Sequence, residues 1–309
     1  MPEQLFLFIQ MEFPWALGPP DGRYLLRELV SAEPEHVVVL NTLGTHRSPS
    51  GRRPSARRQS RLLRRPAARA PATPEPATVA TARATIVDPI SVSADRQARA
   101  WLSDLDPGRD VGAAIAVLNR LLHSHRIASA DPYIHEVSPA QALVVRAGWG
   151  EGEQVAYGRW LHAQELPGAM TAARGAGAGG ARRRLPGTRR TAALRPEERL
   201  AEMLAARGAP LLCEDLTLRA RLDLDQGRTP HAAIELDRAL AVALPELRGE
   251  GRQDLALRID ELEQLRAGVA LQAQAAMPGD EGSPDAEVVR HTLERLEAAL
   301  RARTAAGLG

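Results

Sequence analysis

Four histidines crowd the middle of the chain, His123, His125, His135 and His162, with Asp131 among them. Imidazole and carboxylate are ligands for zinc and related ions, so this set would suit a metal-dependent hydrolase. On a helix, however, the His123-X-His125 pair is a poor half-site. Residues two apart point roughly 200° away from each other and cannot share one ion. They converge only if that stretch is extended. The alternative is a solvated or half-buried ring near a helix C-terminus, where the helix dipole favours positive charge. His123, Asp131, His135 and His162 therefore form a polar cluster to be located, with no catalytic or metal role assigned.

The other reactive side chains give less. Cys213 is the single cysteine, which excludes an intrachain disulfide. It lies in PLLCEDL, and the flanking acids raise a thiol pKa rather than lower it. No Gly-X-Ser-X-Gly elbow occurs. All 40 basic residues are arginine, so phosphate-loop, Schiff-base and kinase lysines are all excluded. Asp223-Leu-Asp225-Gln-Gly227 offers two calcium-type carboxylates and lacks the remaining ligands. The glycine run at 175–180 neither follows a strand nor opens an apolar helix, as a nucleotide loop would. Neither a catalytic residue nor a cofactor is assigned, and an enzyme is not expected.

Charge is partitioned unevenly. Residues 46–85 hold ten arginines, six prolines and one acid, Glu75, while 166–195 hold seven arginines and no acid. Such segments bury too little apolar surface to offset chain entropy. A disordered insertion is expected at 46–83, and a Gly/Ala/Arg linker at 166–195. Together these stretches carry +16 against a chain total of +2, leaving −14 for the remainder. Arginine-rich tethers bind nucleic acid without sequence preference through counterion release. Neither tether has aromatics for base stacking. Ser55, Ser60 and Thr191 each follow paired arginines and are candidate phosphorylation sites, where a phosphate would offset local positive charge.

The positioning elements are set by periodicity. Apolar, β-prone runs at 3–13, 23–29, 36–43 and 84–93 predict a four-stranded antiparallel sheet, the first two paired as a hairpin. Helices are predicted at 94–105, 110–127, 138–147 and 153–165, the third opened by the Ser138-Pro139-Ala140-Gln141 capping signal. From residue 196 the pattern is helical throughout, at 196–207, 210–225, 230–247, 252–275 and 285–304. The fold class is α+β, an antiparallel sheet with covering helices followed by an all-α C-terminal domain. The expected domains are 1–165 and 196–309. All three Phe lie in the first thirteen residues and no aromatic follows Trp160, so the C-terminal core must be built from Leu, Ala, Val and Ile. No signal peptide or membrane span is expected, and the protein is expected to be cytoplasmic.

Residues 213–245 resemble a tetratricopeptide repeat. Ala220 on the first helix, Gly227 in the turn, then Ala232, Leu236, Ala239 and Pro245 carry the likeness. Leucine or polar residues stand at the family's aromatic positions, and the proline comes one residue late. The resemblance implies a helical hairpin and a protein partner. The stretches LFLFIQMEFPWALGPPDGRYLLR and EVSPAQALVVRAGWGEGEQVAYGRW are similar to a family of GC-rich actinobacterial proteins, which implies no activity. A non-enzymatic interaction or adaptor protein is expected. A nucleic-acid-associated regulator and a metal-dependent hydrolase remain the alternatives.

Overall fold

The computed structural model describes residues 4–30, 32–43, 81–166, 196–277 and 283–306. Six strands, β1 (Leu5–Phe13), β2 (Gly22–Leu26), β3 (His36–Leu43), β4 (Thr81–Val87), β5 (Val144–Glu151) and β6 (His162–Glu165), form one sheet in the order β2-β3-β4-β1-β5-β6. Every pairing is antiparallel. The sheet is thus larger than the four strands expected. The expected β1–β2 hairpin does not form, because β4 and β5 flank β1 on its two sides.

The two added strands come from stretches whose local pattern predicts helix. Ser138-Pro139-Gln141 does make its local signal, with Ser138 N donating to Gln141 Oε1 at 2.8 Å. It opens one 3-10 turn, Pro139–Gln141, and then pairing with β1 takes the chain. Gly148 and Gly150 make the packing around β5 possible. A Cβ on Gly148 would lie 2.1 Å from the His162 carbonyl oxygen, and one on Gly150 2.8 Å from Val155 Cγ1. Only glycine lets β6 and the 3-10 segment Gly152–Tyr157 approach the sheet this closely.

Strand alternation divides the side chains between two faces. Ile9, Met11 and Phe13 of β1, with Val38, Leu40, Ala84, Ile86 and Val145, share a core with Leu118, Leu121 and Leu122 of helix α2 (Pro107–Ser129). Helix α1 (Asp95–Ser103) adds Ala98 against Leu5, Leu7 and Trp149. On the opposite face Phe8, Val37, Val39 and Val87 pack under Val155 and Ala156. Asp106 caps α2 by accepting from Arg109 N at 2.9 Å, and Pro107 starts the helix at its first turn.

Helix α3 (Pro196–Leu204) packs with this half, its Leu200 and Leu204 lying in the α2–sheet core. A second core fills the helices α4 (Leu212–Asp225), α5 (Thr229–Gly249), α6 (Ala256–Ala275) and α7 (Ala286–Ala306). Ala220, Ala232 and Ala239 are fully buried there, and Gly227 turns the α4–α5 hairpin with φ +74°. α5 continues past Pro245 rather than closing on it. Glu246 then caps α4 from outside, accepting from Leu212 N at 3.0 Å and Cys213 N at 3.1 Å. α7 returns to α4 through a bidentate pair between Arg221 and Glu297, at 2.7 and 2.8 Å. No helix among the described residues is long and apolar enough to cross a membrane.

Candidate functional site

The mid-chain polar residues fall in different places. His162 lies on the edge strand β6, its ring stacked on Trp149 with centroids 4.6 Å apart. Trp149 Nε1 also donates to Asp95 at 2.9 Å. His123 is half-buried on α2. Asp131 and His135 lie just beyond the C-terminus of α2, which Ala130 closes in the left-handed conformation. His135 and Asp131 are close enough to feel each other's charge, with Arg126 acting on both. Burial first, then Arg126, hold the His135 pKa below its ordinary value, against the pull of Asp131. Among the described residues no group of three or more His, Cys, Asp or Glu side chains could hold a metal ion. Ser55, Ser60 and Thr191 lie outside the described residues.

Cys213 is fully buried, and its thiol pKa is pushed far up by burial and by Glu246. It is unsuited to act as a nucleophile.

Two polar groupings escape the sequence patterns. The first is on the sheet's outer face, where Glu12 of β1 accepts from Arg83 of β4 at 2.9 Å and Arg146 of β5 at 3.0 Å. Trp160 lies under the Arg146 guanidinium, 5.8 Å from ring centroid to charge. Strand alternation reveals this triad only once β4 and β5 are placed beside β1. Two guanidiniums satisfied by one carboxylate and one ring make a structural brace with no proton to transfer.

The second grouping joins the two halves of the molecule. Arg126 on α2 donates to Asp215 of α4 at 2.9 Å. Arg199 on α3 donates to Glu214 of α4 at 2.5 Å and to the Ile127 carbonyl at 3.2 Å. Tyr133 donates to Asp225 at the far end of α4, at 3.1 Å. The polar residues Asp131 and His135 thus border a junction built from arginines and carboxylates. Its sequence signal is the pair of acids after Cys213, which nothing local connects to Arg126 or Arg199. The junction supplies charge-assisted hydrogen bonds and no nucleophile, so what it can do is hold surfaces together.

No family model matches the chain, and no curated protein or solved structure matches it.

Proposed function

We propose that this is a non-enzymatic protein–protein interaction or adaptor protein whose C-terminal helices present the binding surface. The observation that carries the reading is the outer side of α6. Its inner stripe, Ile259, Leu262 and Val269, is buried in the helical core. Its other side leaves Leu257 83% exposed and Leu271 63% exposed. Fourteen residues bring a helix back to nearly the same face, about 21 Å further along its axis. Asp260, Glu261, Gln264 and Gly268 lie between Leu257 and Leu271 on that face, so the two leucines are separate apolar points in a polar surface. The tetratricopeptide-like hairpin of α4 and α5, with its buried Ala220, Ala232 and Ala239, supports the same reading. The partner in this reading is a protein with two apolar contacts about 21 Å apart and polar or basic groups between them to meet Asp260, Glu261 and Gln264.

Cross-linking of full-length protein in extract of its source cells, mapped by mass spectrometry, tests it. A partner cross-linked beside α6 in the wild type and lost in the double variant Leu257→Glu, Leu271→Glu is the expected result. Partner cross-links that survive in that variant would overturn the reading.

A further inference from the structure

We propose that α4–α7 dock on the sheet half through a detachable ionic clasp, and that this bundle swings free about residues 207–210. The clasp stands whether or not α6 binds a partner. Its first ground is the separation of the cores. Leu200 and Leu204 of α3 fill the sheet-side core, whereas Cys213, Ala220 and the buried apolar residues after them fill the bundle core. No hydrophobic cluster among the described residues contains members from both sides.

The polar contacts of the junction bridge the gap, and they have a consistent sense. In the contacts seen among the described residues, the donors Arg126, Arg199 and Tyr133 belong to the sheet half, and the acceptors Asp215, Glu214 and Asp225 belong to α4. A junction bridged by polar contacts resembles a transient interface, for which relative motion is the ordinary expectation.

Opening a buried ion pair is normally costly because it strands a charge. Here the stranding is small. Released from Arg126, Asp215 keeps Arg219 at 2.7 Å on its own helix. Released from Arg199, Glu214 keeps Leu211 N at 3.0 Å and lies 3.6 Å from Arg303. Arg199 keeps the Ile127 carbonyl. Arg126 gains by opening, since its Nε is buried with no hydrogen-bond partner among the described residues. Water would satisfy that donor.

The connection can move. Ala206 ends α3 in the left-handed conformation at φ +57°. Residues 207–210 are exposed, and space is open around Gly208. A short exposed loop at an element's end is where a hinge takes up its dihedral change.

The test is a distance measurement by electron spin resonance on the full chain. Labels go on Arg96→Cys of α1 and Arg266→Cys of α6, both exposed positions; buried Cys213 stays unlabelled. One narrow distance population is expected at low salt. The Arg126–Asp215 and Arg199–Glu214 pairs are largely buried and screened little by salt, so substitution is the lever that opens them. Arg126→Glu should raise the open-to-closed ratio by about tenfold or more, and adding Asp215→Arg should return it toward the wild type. An Arg126→Glu chain that stays folded and keeps the wild-type distances would overturn the clasp. Should Arg126→Glu fail to fold, Asp215→Asn decides the question, because it removes the charge and keeps the shape. Opening supports the proposal and an unchanged distribution ends it.

Discussion

The sheet half and the helical bundle fill their cores with different side chains. Trp149, Phe8, Phe13 and Met11 lie fully buried around the sheet, while the bundle is closed by Leu236, Leu240, Leu262, Leu293 and Leu296 over a floor of alanines. Large rings fill the uneven space between a twisted sheet and its covering helices, and each buries much apolar area. Alanines let helices approach closely, so the bundle gains density where it lacks bulk. The sheet half therefore depends on backbone closeness at a few positions, and the bundle on repeated small contacts along whole helices.

The largest effect is expected at glycine. Gly148→Val would drive a side chain into the His162 backbone and should cost about 3 kcal/mol or more, enough to unseat β6. Gly268→Ala on α6 meets open space and should stabilise the bundle by about 1 kcal/mol. Urea midpoints measure both. If Gly148→Val is neutral, close backbone approach is not what holds β5 to β6.

Next in size are the cores themselves. Trp149→Ala should cost about 3–5 kcal/mol and Leu240→Ala about 2–5 kcal/mol. All four tryptophans, Trp15, Trp101, Trp149 and Trp160, precede residue 161, so fluorescence follows the sheet half alone, whereas circular dichroism is weighted toward the helices. Leu240→Ala should lower the dichroism midpoint and leave the fluorescence midpoint in place. Midpoints that move together would mean that the halves unfold as one.

Cys213 gives a third readout with a smaller effect. Buried in the bundle core with its pKa raised, it should resist alkylation at pH 8 in the native chain. Leu240→Ala should speed its labelling and Gly148→Val should not. The reverse ranking would place the thiol under the control of the sheet half.

Legibility in the sequence divides along the same line. The bundle's helices declare themselves in local periodicity. The stripe Ile259, Leu262, Val269 is visible without knowing any neighbour, and the predicted 252–275 falls close to the observed Ala256–Ala275. Sheet pairing is non-local. Ser138-Pro139-Gln141 is a true helix start, yet β1 captures the residues after it, because burying Val145, Ala147 and Trp149 in the sheet outweighs a helical turn. Gly148 and Gly150 look like helix interruptions in the sequence and are contact positions in the fold. The junction is hidden for a related reason: Arg126 and Asp215 are 89 residues apart. Each sits in an ordinary amphipathic helix.

The smallest effect concerns His135, at the edge of the sheet half. Burial and then Arg126 hold its folded pKa below the ordinary 6.5, against Asp131. The unfolded chain therefore takes up its proton at higher pH than the folded one. By linkage, stability is unaffected well above 6.5, falls as the pH drops through 6.5, and levels off below the folded pKa. The residue is only partly withdrawn from solvent, so screening limits the effect to about a few tenths of a kcal/mol. His135→Gln should flatten that slope in the tryptophan-detected transition. Because the residue packs beside α2 and outside the helical core, the dichroism-detected transition should keep its own pH dependence. A slope lost from both transitions would show that protonation at the junction reaches the bundle, and that the two halves are coupled more tightly than their separate cores imply.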